Sequence, residues 1–468
     1  MNFLFYDLET SGLDECFDQI FQFAAIRTDE NFNQIGEPIE YFCKLRSDVL
    51  PAPIAIKINQ IDVRELDAKG LCEFEFARSV EATLQGDGDQ CIIGYNSTDF
   101  DDKFIRFLLY RNLLPPYDWT WVNGNSCFDL FPVLCLGYSF GRLSGIKIDD
   151  GSEPLRLENL AKCNDLIHEQ AHDAVSDVKA TIELAKLLRE KCPKLLDHAL
   201  SLRDRVKVRQ IATANDVFCL STKTNGYDDK FLGLNTQICD HPIFRTSVIT
   251  WKLKCDPANI LDLTADEILD RMYAKGDDRT IDVGFEELKI NKSPMVVPFS
   301  GEVPMLLRDH DLCVRNLNAV RANLSQLKSL AGEIFNSEIP ERELDADLYV
   351  GFFQDVDRDQ RGLQAFRKDP MNFKPSDFTV KRFRRQLLRL KARNFPDMLS
   401  ASENERYLRW RADQRLGENP PDGCLCWTEF EKEFLEAIID PQLTERQALC
   451  LRGLREHIAK IHGREITS

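Results

Sequence analysis

Hydrophobic and polar positions divide the chain into three stretches with different periods. Residues 3–8, built on Phe3, Leu4, Phe5 and Leu8, predict a strand that ends at a Ser11-Gly12 turn. Further strands are predicted over 20–27 and 39–44 with hairpin-like spacing, and a buried one over 91–96. A helix follows over 101–112. Residues 157–161 and 174–188 predict two more helices, the second from apolar residues at Val175, Val178, Ile182, Ala185 and Leu188. Strands that come first alone and then alternate with helices define a mixed α/β domain ending near residue 192.

From about 195 the pattern changes to short β-like runs between turn signals, among them 217–220, 248–253 and 295–297, with a helical stretch near 265–274. A small β-barrel is the expected architecture. Beyond about 341 the periodicity is helical throughout, in the runs 376–393, 402–416 and 427–461. The expected fold is therefore an α/β multidomain chain with domains at 1–192, 193–340 and 341–468. No internal repeat or low-complexity tract interrupts it.

Composition narrows the class. A chain of 468 residues exceeds one ordinary hydrophobic core, in keeping with two or three domains. Apolar residues make up 43% and charged residues 29%, the balance of a globular protein in water. No apolar run approaches membrane-spanning length, and the N-terminus lacks the basic and apolar regions of a signal peptide. The 15 cysteines are scattered, with Cys424 and Cys426 the closest pair and no zinc-type spacing, so reduced thiols in a cytosol are expected. A net charge of −17 excludes a protein that coats nucleic acid indiscriminately, but not an enzyme whose basic groups line one groove.

Three short segments carry the chemistry. Asp7 and Glu9 are two apart on a predicted strand, so their side chains share one face. Two carboxylates on a strand otherwise made of Phe and Leu are costly unless a cation neutralises them. Asp101 opens a helix after a buried strand; taken alone it reads better as a helix cap, and Asp102 competes for either role. His172 and Asp177 are five apart, about 140° around a helix, and cannot share one helical face. Asp177 is therefore placed on the first turns of the helix and His172 on the preceding loop, leaving Asp173 as the cap.

Together, Asp7, Glu9, Asp101 and Asp177 can hold two divalent cations about 4 Å apart, one activating a water and one stabilising a leaving 3′-oxygen. An all-oxygen ligand set favours Mg²⁺ or Mn²⁺ over zinc. His172 suits the task of taking the proton from the water. The constellation predicts a metal-dependent 3′ exonuclease that releases 5′-mononucleotides by in-line hydrolysis.

The three segments in this order resemble the DEDD exonucleases, in the subclass that carries histidine. Residues 22–29, 36–38, 94–96, 110–112, 156–160, 290–292, 348–353 and 392–396 are similar to the bacterial exodeoxyribonuclease I family, so the resemblance spans nearly the whole chain. It implies an RNase H-like exonuclease domain with a mixed sheet, an SH3-like β-barrel domain and an all-helical C-terminal domain. It also implies processive 3′→5′ digestion of single-stranded DNA in repair and recombination, by a monomer in a bacterial cytoplasm with no membrane association. Two Mg²⁺ ions are the implied cofactor, and the acidic C-terminal tail of single-stranded-DNA-binding protein is an implied partner.

The resemblance further implies substrate contacts at Glu9, Arg106, Tyr117, Trp121 and Arg156. Arg205, with Lys207 beside it, is a plausible phosphate contact at a domain junction. Trp119 is open between base stacking and core packing. Asp99, Cys127 and Cys135 stand where the family pattern has arginine, which bears on substrate affinity rather than on the chemistry. The densest basic segment, 381–393, contains no acid and places Arg382, Arg385, Arg389 and Arg393 on one helical stripe. That stripe is read either as a wall of the DNA groove or as a dock for an acidic peptide. The competing functional readings are an exoribonuclease or proofreading exonuclease, and a single-strand-binding or recruitment module whose nuclease site is inactive.

Overall fold

The computed structural model describes residues 2–149, 151, 153–166, 173–273, 283–300, 309–336, 341–464 and 466. The chain forms two compact units, one of residues 1–126, 167–182 and 339–468, the other of residues 127–166 and 183–338.

The first unit is built on β1 (Asn2–Thr10), β2 (Ile20–Thr28), β3 (Gln34–Phe42) and β4 (Gln90–Gly94). These four form a sheet in the order β3-β2-β1-β4, and β5 (Ser126–Asp129) lies where the chain passes into the second unit. β1 runs antiparallel to β2 and parallel to β4, which makes the sheet mixed, as the family resemblance implies. β1 and β2 extend the predicted strands by a residue or two, whereas β3 begins five residues earlier and ends two earlier, and β4 begins one residue earlier and ends two short.

The C-terminal helices share two hydrophobic cores with the N-terminal stretch. In one, Phe74, Phe107 and Tyr110 pack with Phe352, Phe366, Phe383 and Leu387. In the other, Phe21, Ile56 and Leu66 pack with Trp427, Phe430, Cys450 and Leu454. The predicted continuous run 427–461 is two helices, Trp427–Ile438 and Glu445–His462. Pro441 lies in the break, where its missing N–H and fixed φ cannot continue a helix, and Thr444 and Gln447 form the capping box that starts the next one. The run 376–393 starts later than expected, as the helix Lys381–Asn394.

That helix corrects the reading of its basic stripe. The segment holds no acid, but acids from elsewhere in the unit reach it. Arg382 pairs with Asp347 at 2.6 Å and Asp355 at 2.8 Å. Arg389 pairs with Glu343 and, at 3.2 Å, with Asp345. Arg393 is buried between Asp48 at 2.8 Å and Asp345 at 2.5 Å. Burial alone would raise the pKa values of these two carboxylates, but Arg393 and its cationic neighbours hold them far below the usual range. Three of the four stripe arginines are thus internal ties, and only Arg385 is exposed.

The second unit carries an antiparallel sheet of β6 (Phe218–Ser221), β7 (Leu232–Asp240), β8 (Ser247–Lys252), β9 (Phe285–Lys289) and β10 (Met295–Pro298), ordered β10-β6-β7-β8-β9. Its core gathers Ile249, Trp251 and Phe285 with Ile268 of the helix Ala265–Tyr273 and with Leu327 and Ala331 of the helix Leu324–Ile334. Gly284 is required beside the indole, since a Cβ there would lie 2.3 Å from the Trp251 ring.

Candidate active site

The topology of the first sheet brings two of the acidic segments together. β1 and β4 are parallel neighbours, paired from Asn2–Gln90 to Phe5–Ile93, so their C-terminal ends lie side by side. Asp7 and Glu9 follow on β1, and Asp101 opens the helix Asp101–Arg111 shortly after β4. The N-cap of that helix is Phe100, with no side-chain cap, so Asp101 is not spent on capping.

The third segment enters through the helix Ala174–Lys191, with Asp177 in its first turn. Asp173 has the capping role the sequence predicts: one carboxylate oxygen accepts from the Ser176 N–H at 3.1 Å. The other accepts from Gln22 Nε2 at 3.2 Å, and the same nitrogen donates to Glu40 at 2.7 Å. Gln22 sits opposite Glu9 in the β1–β2 ladder. His172 lies outside the described residues.

Asp7, Glu9 and Asp177 each offer a carboxylate oxygen, and these oxygens lie within 4.8 Å of one another. Burial raises the pKa of Asp7 well above its ordinary value, and Asp101, Asp177, Glu9 and Asp173 push it further. Glu9 is raised by burial, then by Asp177, Asp101 and Asp173. Carboxylates driven toward protonation by burial and by one another are the arrangement that a hard divalent cation relieves. The donor set therefore fits a metal site, and Asp101 acts on it electrostatically.

Asp102 is otherwise engaged. It accepts from the Tyr6 hydroxyl at 2.7 Å and pairs with Arg106 at 2.9 Å. Arg106 is accordingly buried, with its guanidinium 5.6 Å from the centre of the Tyr117 ring. Tyr117 is half-buried beside Tyr349, which sequence reasoning did not single out although it falls in one of the family-like runs. Trp119 is core: it is fully buried and its indole N–H donates to the Pro116 carbonyl at 3.1 Å. Trp121, two residues on, is 63% exposed.

Arg156 and Arg205 belong to the second unit. Arg156 is half-exposed and pairs with Glu153 at 3.3 Å and Glu158 at 3.6 Å. Arg205 is exposed at the start of the helix Arg205–Ala214, which Asp204 caps. Asp99 is exposed, Cys127 half-buried and Cys135 fully buried. All 15 cysteines are free thiols. Among the described residues no helix is long and apolar enough to cross a membrane.

The sheet and its acidic cluster define a metal-site nuclease, and family comparisons agree. A family model described as Exonuclease matches residues 4–185, an Exonuclease I SH3-like domain matches 203–337, and an Exonuclease I C-terminal domain matches 342–461. Exodeoxyribonuclease I of Haemophilus influenzae is 33% identical over 431 residues, covering 88% of this chain and 90% of that one. The Escherichia coli protein of the same name is 35% identical over 429 residues, covering 87% and 89%. The crystal structure of E. coli exonuclease I with a dT13 oligonucleotide superposes with a TM-score of 0.84 at 31% identity, covering 98% of this chain and 99% of that one. A zinc-bound form of the E. coli enzyme with single-stranded DNA matches with the same score, identity and coverage. The chain belongs to the exodeoxyribonuclease I family, and is a 3′→5′ exonuclease.

Proposed function

We propose that the chain degrades single-stranded DNA from its 3′ end to 5′-mononucleotides, in the repair and recombination of a bacterial cytoplasm. The observation that carries this reading is the convergence of Asp7, Glu9 and Asp177 within 4.8 Å, with Asp101 acting on Asp7. Asp7, Glu9, Asp101 and Asp177 would hold two Mg²⁺ ions, with Mn²⁺ able to substitute. Bound there, the cations supply Lewis acidity toward the attacking water and charge compensation for the leaving oxygen.

The chain's own residues complete the reaction. His172 takes a proton from the water, whose oxygen attacks the terminal phosphorus as the bond to the 3′-oxygen of the preceding nucleotide breaks. The proton lost by the water equals the one gained by the departing 3′-hydroxyl, so the step is a net hydrolysis. Glu9 also faces the substrate in this reading. Trp121 offers an exposed ring for a base to stack on, and Tyr117 a half-buried one. Arg106, Arg156 and Arg205 are assigned to the strand, Arg106 through the ion pair it already makes.

The division 1–192, 193–340 and 341–468 is the proposed domain arrangement, with the protein a monomer. The acidic tail of single-stranded-DNA-binding protein is the proposed partner. A dock for it on the 381–393 stripe would have to use Arg385 and the exposed Lys381 and Arg384, because the other stripe arginines are already paired.

The test uses 5′-labelled single-stranded DNA, the same sequence as RNA, and a blunt duplex, each with Mg²⁺ or with EDTA. A Mg²⁺-dependent ladder on single-stranded DNA alone is expected. Equal loss of RNA would move the protein to the RNA-processing class, and binding without cleavage would make it a recruitment module. Asp177→Ala is expected to abolish cleavage and leave single-strand binding in EDTA intact; cleavage at the wild-type rate would overturn the site assignment.

A further inference from the structure

We propose that Tyr6 and Asp102 form a buried clasp that sets the spacing between Asp7 and Asp101. They would thus be positioning residues for the cation site, an inference that rests on the metal reading above.

The clasp lies one residue from each ligand. Tyr6 immediately precedes Asp7 and Asp102 immediately follows Asp101, and the Tyr6 hydroxyl donates to Asp102 Oδ1 at 2.7 Å across 96 residues of chain. The second carboxylate oxygen accepts from Arg106 Nη2 at 2.9 Å, one helical turn on. Tyr6 and Asp102 are each 3% exposed and Arg106 is 7% exposed. In so dry a setting a charge-assisted hydrogen bond fixes geometry more firmly than it would in water.

The backbone alone leaves this spacing open. The β1–β4 ladder ends at the Phe5–Ile93 pair, two residues short of Asp7, while Asp101 lies beyond the turn that follows β4. Asp7 and Asp101 repel each other. A bond between their neighbours opposes that repulsion and holds the two segments at one separation.

The surroundings fix the hydroxyl's aim. The Tyr6 ring stacks on Phe23 at 6.3 Å with the planes 22° apart, and Phe23 stacks on Tyr41 at 6.1 Å and 14°, a row of rings across three strands. Gly94 leaves room for this row and for the turn, since a Cβ there would lie 2.4 Å from the Ser97 side chain and 3.3 Å from the Tyr6 ring. On the helix side, the Asp102 N–H is tied to the Ser97 carbonyl at 2.9 Å. Both ends of the clasp are anchored before a cation arrives.

Tyr6→Phe removes one oxygen and keeps the ring. Mn²⁺ binding to the full-length protein, followed by electron paramagnetic resonance, is expected to weaken about tenfold or more, the usual effect of losing an outer-shell partner. The Mg²⁺ concentration for half-maximal cleavage should rise in parallel, with single-strand binding in EDTA unchanged. Tyr41→Phe serves as the control, because it removes a hydroxyl from the same row of rings, one that meets Thr83 and takes no part in the clasp. Wild-type Mn²⁺ affinity in folded Tyr6→Phe, or an equal loss in Tyr41→Phe, would overturn the clasp while leaving the metal site standing. Absence of Mn²⁺ binding in the wild-type protein would overturn the metal reading and the clasp with it.

Discussion

Gln22 donates one hydrogen bond to Asp173 at 3.2 Å, joining the strand opposite Glu9 to the residue that caps the Asp177 helix. The same amide nitrogen reaches Glu40 at 2.7 Å, so a single donor sits between two carboxylates that would otherwise repel. Gln22→Leu removes that donor from a buried position and frees the start of the Asp177 helix to shift. The expected result is a fall of about tenfold or more in kcat, with little change in single-strand binding in EDTA. Gln22→Glu should be worse than Gln22→Leu, because it adds a third acid. Steady-state kinetics of the two variants, with a melting curve for each, decide this.

The acidic cluster makes the metal-free protein lose stability as pH rises above the ordinary carboxylate range. Asp7 and Glu9 have folded-state pKa values above their ordinary 3.8 and 4.5. Between the ordinary and the raised values the folded state holds protons that the unfolded chain has released. The unfolded state then binds fewer protons, and stability falls as pH rises through that window. Above the raised values the penalty is complete and constant. A divalent cation removes it, so the increase in Tm on adding Mg²⁺ to EDTA-treated protein should grow as pH rises through that window. Asp7→Asn should shrink both the increase and its pH dependence. An increase that does not change with pH would detach these two carboxylates from the cation.

Trp119 and Trp121 predict opposite phenotypes from adjacent sequence. Trp119 is fully buried and hydrogen bonded, so Trp119→Ala should destabilise the fold by about 3–5 kcal/mol. Trp121 is largely exposed, so Trp121→Ala should leave the melting temperature nearly unchanged. If its ring stacks on a base, the same change weakens single-strand binding by about 1–3 kcal/mol. Fluorescence anisotropy with a labelled oligonucleotide, read beside thermal melts, separates the two. Unchanged binding in Trp121→Ala would remove it from the strand's path.

The two tryptophans show where sequence stops being enough. A two-residue spacing of aromatics between short turns carries no period, so burial is decided by tertiary packing. Asp7 and Glu9 were legible because strand alternation places them on one face, and Asp173 because its distance from Asp177 left it the cap. The clasp was not legible, since nothing in the Phe100-Asp101-Asp102 run says which acid meets Tyr6. Nor were the acids around Arg382, Arg389 and Arg393, which come from positions as distant as Asp48. A local charge count cannot register a partner several hundred residues away.

Those arginines make the C-terminal helices part of the nuclease unit's interior rather than an appendage. Arg393 is almost completely buried and bridges Asp48 from the N-terminal stretch to Asp345. Around it, Arg46 pairs with Glu73 at 2.6 Å, and Arg111, at the end of the Asp101 helix, pairs with Glu73 at 3.2 Å. Arg393→Met would leave two buried carboxylates facing each other with one cation fewer. Breaking such a pair on one side costs about 3–5 kcal/mol, so the variant should unfold at markedly lower urea. Because Asp48 and Asp345 are held at depressed pKa values, they contribute stability above their ordinary range and lose it as pH falls. The deficit of Arg393→Met should therefore narrow in acid, where the under-compensated carboxylates take up protons. Urea titrations of both proteins at neutral and acidic pH measure it, and a constant deficit would show that Arg393 acts through packing rather than charge.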